Sequence, residues 1–286
     1  MKKKLLFVLT LLIFITGCEF KEDFSDKHVY TTLYPIEYAT QMIYSDYGNV
    51  SSVYPTDATL NYKLTDKKKQ TYSNAEIFIY SGVADEAILA KDLINLNNKI
   101  KIIDATKGMQ KNNNIASIWL DPSNYLMICS NIKSSLIDYN NNVYVKEGIE
   151  NNYKKLNEKI SEIDVQLYDI GKNGNYNTIL VTNNVFNYLT KYNINVISLD
   201  PNNETIDKAY SDAKKLINDK KIQYIYYLEG DELNITQQKL INDNSLVKVE
   251  INDIHSLTET EKKEEKNYLT IMNEIIDNYK KELYKK

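Results

Sequence analysis

The chain is short of several residue types on which common functional sites depend. It has no arginine, two histidines, two cysteines and one tryptophan among 286 residues. Every basic residue is therefore a lysine, and the formal net charge of −4 leaves no basic surplus of the kind that binds nucleic acid. A glycine-rich phosphate loop, a nucleophile elbow, a His/Asp/Ser constellation and a close carboxylate pair are also lacking. These absences predict a protein that is not an enzyme and has no nucleic-acid partner.

Apolar residues, in contrast, are plentiful. Hydrophobic residues make up 43% of the chain, which is enough for one large or two medium compact domains. The 24 tyrosines allow two interpretations. Because tyrosine is a routine half-buried core residue, we interpret most of them as packing residues rather than as a surface that binds glycans or aromatic ligands.

The N-terminus has the pattern of a targeting segment. Three lysines at positions 2–4 precede an apolar run from Leu5 to Ile15, and Thr16-Gly17-Cys18 follows. This order predicts a signal peptide over 1–17, because the apolar run is too short for a transmembrane span. Residues 15–18 also resemble the bacterial lipobox, which predicts lipid attachment at Cys18 and a flexible tether over 18–27. The alternative is an ordinary secretory signal with a chance cysteine.

Two series of alternating strand and helix patterns follow the tether. The strand patterns lie at 28–33, 50–55, 75–82 and 100–105, and again at 178–182, 196–199, 223–228 and 246–251. Such alternation predicts parallel sheets with helices on both faces, in which ligands sit at the carboxyl ends of the strands. Between the series, apolar residues over 149–167 recur at steps of 3 and 4 and predict one continuous helix of about 28 Å. Cys129, within another apolar helical pattern, is predicted to be a buried free thiol.

The only tryptophan lies in the segment Ser117-Ile118-Trp119-Leu120-Asp121-Pro122. The segment predicts a short strand end, with Asp121 as helix N-cap and Pro122 as the first helical residue. It is near-identical to a His-x-Trp-Leu-Asp-Pro segment of the zinc- and manganese-binding solute-binding lipoproteins of ABC importers. Val29 to Pro35 resembles the opening strand and turn of that family, and Leu180 to Leu189 resembles its strand-to-helix segment in the second lobe. The resemblance runs from about Val29 to the C-terminus.

The resemblance implies a fold and a division of the chain. The fold class is α/β, with two βα lobes that contain parallel sheets, one long rigid linker helix that joins them, and a cleft between the lobes. The corresponding division is 28–140 for the N-terminal lobe, 141–168 for the linker helix and 169–286 for the C-terminal lobe.

Four side chains bind the metal in this family, and the resemblance places Leu60, Ser117, Asn183 and Asp253 at their positions. A leucine cannot coordinate a cation, and an amide oxygen is a poor ligand for Zn²⁺ or Mn²⁺. Asn183 is explained at least as well as the cap of the following helix. Only Asp253 is a strong anionic donor, so the loss of three ligands predicts the loss of tight transition-metal binding.

Asp57, Glu229 and His255 are candidates for a rebuilt site. Glu229 follows a strand after which the family often has an acidic residue, and His255 lies in the loop after the last strand. A lone loop histidine is more often a solvated side chain than a ligand. Because the chain has no spaced pair of His, Glu or Cys, we favour a degenerate site over a rebuilt one.

These observations predict an extracytoplasmic, lipid-anchored solute-binding protein of an ABC importer. Its expected partners are the ABC permease and the membrane, it is expected to be a monomer, and the cation implied by the resemblance is zinc or manganese. The alternative is a diverged binding or surface interaction protein on the same scaffold, which no longer binds a transition metal.

Overall fold

A computed structural model describes residues 27–110 and 115–286. The predicted signal peptide, Cys18 and all of the predicted tether except residue 27 lie outside these ranges. Within the ranges, no helix combines the length and the apolar character needed to cross a membrane.

The first lobe contains a parallel four-stranded sheet in the order β2-β1-β3-β4. Its strands are β1 (His28–Thr31), β2 (Asn49–Ser52), β3 (Ile77–Tyr80) and β4 (Lys101–Asp104). The helices that connect or follow them are α1 (Tyr34–Tyr44), α2 (Asp66–Tyr72), α3 (Glu86–Leu96), α4 (Ser117–Leu120) and α5 (Pro122–Tyr139). The predicted alternation of strands and helices therefore produces the predicted parallel sheet.

The second lobe repeats this arrangement, because its sheet has the order β6-β5-β7-β8 and is again parallel throughout. The strands are β5 (Thr178–Val181), β6 (Asn195–Ser198), β7 (Tyr224–Leu228) and β8 (Val247–Ile251). A 3₁₀ helix (Asn184–Tyr192) follows β5, and the α-helices are α7 (Ile206–Asn218), α8 (Ile235–Asn244), α9 (Glu259–Lys263) and α10 (Tyr268–Leu283). Asn183, two residues after β5, was expected to cap a helix, and the helix that it caps is of the tighter 3₁₀ type.

The two faces of each sheet bury different sets of side chains. In β3, Ile77 and Ile79 join a central core that both lobes share, whereas Phe78 packs in a smaller cluster on the outer face. In β5, Val181 faces the central core and Leu180 faces an outer cluster of the second lobe. Because successive strand residues point to opposite faces, one apolar run supplies both layers.

The helix between the lobes, α6 (Val143–Asn173), has 31 residues. Its length of about 46 Å exceeds the 28 Å or so expected from residues 149–167. The apolar step continues from Leu167 to Ile170, and the helix runs from Val143 to Asn173, so it begins two residues after the predicted start at 141 and ends five residues after the predicted end at 168. The helix packs against α1 and α5 of the first lobe and against α10 and the 3₁₀ helix of the second.

Two glycines of α6 permit this close packing. A Cβ atom at Gly148 would overlap the hydroxyl group of Tyr47 in the first lobe. A Cβ atom at Gly171 would overlap the backbone carbonyl oxygen of Tyr192 in the second lobe. The missing side chains therefore set how near each lobe can approach the helix.

The segment around Trp119 differs from the prediction in one respect. Ser117–Leu120 forms a helical turn rather than a strand end, with the Trp119 and Leu120 amides both directed to the carbonyl of Ala116. A short run of consecutive apolar residues fits a buried turn as well as a strand, which explains the error. Asp121 caps α5 as predicted, because its Oδ1 accepts the Ser123 amide at 2.9 Å. Cys129 is a fully buried free thiol, as predicted.

Replacing Gly171 with alanine should destabilise the fold, although alanine is normally the better helix former by up to about 1 kcal/mol. The added methyl group meets a backbone carbonyl that cannot rotate away, so we expect a loss of about 1–3 kcal/mol. Urea unfolding would measure the difference. Lys172→Ala, at the exposed neighbouring position, is the matched control and should change the stability little. A Gly171→Ala protein more stable than the wild type would contradict the packing described here.

Candidate functional site

The loop after β8 contacts the first lobe through His255. Its ring Nε2 lies 3.1 Å from the carbonyl oxygen of Ala58, and its own carbonyl oxygen accepts the Tyr34 amide at 3.0 Å. On the other side of the ring, Nδ1 is in close contact with Oδ1 of Asp253. Both ring nitrogens are therefore engaged, and the expectation of a solvated loop histidine was wrong. The partners of His255 could not be predicted from the sequence, because Ala58 lies 197 positions away in the chain.

The backbone of the same loop is held by Trp119. The indole Nε1–H donates to the carbonyl oxygen of Asp253 at 2.6 Å, and Tyr268 donates its hydroxyl to the carbonyl oxygen of Trp119 at 2.7 Å. The Tyr268 ring stacks on Tyr125, with 3.9 Å between the ring centroids. All three aromatic side chains are buried, so the tryptophan serves as a buried tie between the lobes.

The environment of His255 favours its charged form. Burial alone would lower its pKa, but the hydrogen bond and charge of Asp253, the Ala58 carbonyl and the charge of Glu229 raise it, and the net shift is upward. The two acceptors on opposite sides of the ring explain this direction, because only the imidazolium can donate from both nitrogens.

The four positions that the resemblance assigns to metal ligands do not present four donors. Leu60 is half-buried and packs against the central core, and Ser117 lies in the first turn of α4. Asn183 caps the 3₁₀ helix by accepting the Val185 amide at 2.9 Å, while its Nδ2 donates to Asp231 at 3.3 Å. The carboxylate of Asp253 accepts the backbone amide of His255 at 3.0 Å in addition to its contact with the ring.

Acidic residues lie near this loop without forming a set of ligands. Partial desolvation of the Glu229 carboxyl raises its pKa, and the charges of Glu261, Glu250 and Asp253 raise it further. Glu229 is exposed, and so is Asp57 in the first lobe. Across residues 27–110 and 115–286, no group of three or more His, Cys, Asp or Glu side chains is arranged to hold a metal ion. The residues present therefore do not fit a tight transition-metal site.

A cavity of about 270 Å³ lies beside the His255 contact, at the carboxyl ends of β1 and β2. The first lobe lines it with Thr32, Glu37 and Ser52, and the second lobe contributes Lys262. None of these four was singled out from the sequence. The available signal was their position: Thr32 directly follows β1 and Ser52 ends β2, and ligands bind at the carboxyl ends of strands in such sheets.

A family model described as the zinc-uptake complex component A, periplasmic (ZnuA), matches residues 29–282. The chain belongs to this family. Among curated members, the zinc-binding lipoprotein AdcA of Streptococcus pneumoniae strain R6 is 25% identical over 304 residues. The alignment covers 95% of this chain and 59% of AdcA, so the chain spans less than two thirds of that relative.

Solved structures of family relatives have the same fold. The Zn(II)-bound ZnuA-like domain of S. pneumoniae AdcA matches with a TM-score of 0.70 at 23% identity, covering 91% of this chain and 99% of that domain. The metal-dependent lipoprotein YcdH of Bacillus subtilis matches with a TM-score of 0.73 at 20% identity, covering 90% and 99% of the two chains. The predicted family and the predicted two-lobed α/β fold are both confirmed.

Replacing His255 with asparagine should remove a pH-dependent part of the folding stability. Because the folded-state pKa of His255 lies above its ordinary value of about 6.5, its stabilisation is fully present below that value and is lost as the pH rises through the raised pKa. We expect the wild type to exceed the variant by about 1–2 kcal/mol at low pH, with a smaller gap at alkaline pH. Urea unfolding at a series of pH values would measure this gap.

The control for this experiment is His28→Asn, which replaces the only other histidine, an exposed residue at the start of β1. Its stability difference from the wild type should be small across the same series. A His255→Asn gap that is constant or grows with pH would contradict the assignment of a charged, doubly bonded imidazole.

Proposed function

We propose that this chain is a lipid-anchored, extracytoplasmic solute-binding component of an ABC importer that no longer binds a transition metal tightly at the family's metal position. Membership of the zinc-uptake family supports the class of protein. The proposed difference from the family lies at the metal position. The division into two lobes and a linker helix is part of this proposal, with the linker at Val143–Asn173 because the helix runs past residue 168.

The prediction of reduced metal affinity rests on the small number of side chains at these positions that could bind a metal ion. Of Leu60, Ser117, Asn183 and Asp253, only Asp253 has a carboxylate, and His255 already contacts it through both its ring and its amide. Zn²⁺ prefers four nitrogen, sulfur or carboxylate ligands in tetrahedral geometry. Binding at Asp253 would have to displace the His255 contact without gaining three further strong ligands, so tight binding of Zn²⁺ or Mn²⁺ is not expected.

The mode of attachment rests on the lipobox-like residues 15–18. The curated relative of S. pneumoniae is called a lipoprotein. With lipid on Cys18, a short polar segment would connect the membrane to the first strand, which starts at His28. The protein would then act as a monomer on the outer face of the membrane, with an ABC permease as its partner and without nucleic-acid or catalytic activity.

Titration with Zn²⁺ and Mn²⁺ tests the metal part of the proposal. Isothermal calorimetry on the mature chain from Glu19, after chelator treatment, should detect no binding tighter than about 10 µM. Submicromolar binding that weakens in Asp253→Ala would instead mean that a rebuilt site exists and that the proposal is wrong on this point.

Restoring the missing ligands provides the converse experiment. A chain with Leu60→His, Ser117→His and Asn183→His, in which Asp253 is retained, should gain Zn²⁺ affinity by more than about a hundredfold. The matched control carries alanine at the same three positions and should gain none. If neither chain binds Zn²⁺ although both fold normally by circular dichroism, these positions do not correspond to the family's metal ligands.

Lipid attachment is tested by metabolic labelling with a radioactive fatty acid in a bacterial host. The wild-type chain should take up label and fractionate with membranes, whereas Cys18→Ala should do neither. The control is Cys129→Ala, which removes the buried thiol and leaves the lipobox intact. Secretion of an unlabelled wild-type protein would support an ordinary signal peptide.

A further inference from the structure

We infer that the cavity between β1, β2 and the loop after β8 is a binding site for a small zwitterionic solute of amino-acid size. The inference deepens the proposed function and rests on it for the role of this solute as transported cargo. It concerns a place in the molecule other than the family's metal position. Leu60, Ser117, Asn183, Asp253 and Glu229 do not line the cavity, and His255, which does, has both ring nitrogens engaged.

The size and position of the cavity suit a small ligand. Its volume of about 270 Å³ lies just below the range of roughly 300–1,000 Å³ that is usual for pockets of drug-sized ligands. Residues 32–58 supply one wall and residues 255–262 supply the other, so both lobes would contact the bound solute. Binding between two lobes allows a solute to change how the lobes are held, which suits a protein that must signal occupancy to a permease.

One polar group of the cavity lacks a partner. Thr32 is 1% exposed, and its hydroxyl group has no hydrogen-bond partner among the described residues. Its carbonyl oxygen, in contrast, accepts the Ser52 hydroxyl at 2.6 Å. Nearly all buried polar groups in native proteins are hydrogen-bonded, so this buried hydroxyl, in a residue that lines the cavity, is an exception.

Glu37 provides the anionic side of the site. Its Oε1 accepts the Ser52 amide at 3.2 Å and the Gln41 side chain at 3.1 Å, which fixes the carboxylate in place. No described residue donates to Oε2. Burial raises the pKa of this carboxyl, and the Ser52 amide and the charge of Lys262 act against that rise. A ligand ammonium group would supply the missing donor to a carboxylate that is held rigid and half-buried.

Lys262 provides the cationic side. It lies on the exposed face of α9, and its Nζ contacts the hydroxyl of Thr56 across the gap between the lobes. Because a fixed carboxylate and an ammonium line one cavity, a solute with both charges would be favoured over an anion or a cation of similar size. Ser51, Thr56 and Ser256 add hydroxyl groups that both donate and accept hydrogen bonds.

The test is a binding screen on a soluble chain that starts at Glu19, after the lipidation site, and keeps every described residue. Each of the common L-amino acids is added separately at millimolar concentration, the melting temperature is recorded, and calorimetry follows for any that raise it. At least one amino acid should stabilise the chain in proportion to its occupancy. Its amide and its N-acetyl derivative, which each lack one charge, should bind about tenfold or more weakly.

Two variants locate the site. Glu37→Gln keeps the size of the side chain and removes its charge, and Lys262→Gln removes the charge of an exposed side chain. Each should weaken binding about tenfold. Lys263→Gln, at the exposed neighbouring position on α9, is the matched control and should bind like the wild type.

Several results would overturn the inference. The inference is wrong if no amino acid stabilises the chain, or if both variants bind the amino acid as tightly as the wild type does. It is also wrong if the derivatives that lack one charge bind as tightly as the amino acid itself. Failure here is distinguishable from failure of the proposed function. If the chain is lipid-labelled, binds no metal and binds no amino acid, only this inference is wrong. If an unlabelled, secreted chain binds an amino acid, the proposal of a lipid-anchored importer component is wrong and this inference stands.

Discussion

The packing of one long helix against both lobes is the constraint on which the rest of the structure depends. The helix Val143–Asn173 contacts helices of each lobe, and its two glycines, Gly148 and Gly171, let Tyr47 and Tyr192 approach the helix backbone. The first lobe is also held by Asn152 of the helix, which donates to Asp46 at 2.9 Å, and the second lobe by Gln166, which donates to Asn273 at 3.0 Å. A single apolar core runs through this arrangement, so the lobes cannot separate without exposing it.

Within that frame, the loop after the last strand closes the gap between the lobes by hydrogen bonds. Trp119 holds the loop backbone at Asp253, and His255 reaches Ala58 and Tyr34. Asp253, the only carboxylate among the four positions, is thus part of the contact between the two lobes. At three of the four positions that the resemblance assigns to metal ligands, the side chains present pack, cap a helix or contact His255.

The fold and the candidate ligand-binding residues point to different ligands. The scaffold is that of the zinc-uptake family, whereas the residues at the positions that the resemblance assigns to metal ligands do not form a set suited to zinc, and no such set lies elsewhere among the described residues. The neighbouring cavity has the features that the metal position lacks: opposite charges on Glu37 and Lys262 and an unpartnered buried hydroxyl on Thr32.

The sequence by itself determined the fold class, the two series of strands, the existence of the long helix, the cap at Asp121 and the buried state of Cys129, because each depends on local periodicity or on a short motif. The assignment of Leu60, Ser117, Asn183 and Asp253 to the family's ligand positions stays a prediction. Only the tertiary structure decided the partners of His255, the tie from Trp119 and the cavity, since these join residues up to 197 positions apart. Local patterns carry no information on which loops meet across a cleft. That choice is made by the packing of both lobes on the helix.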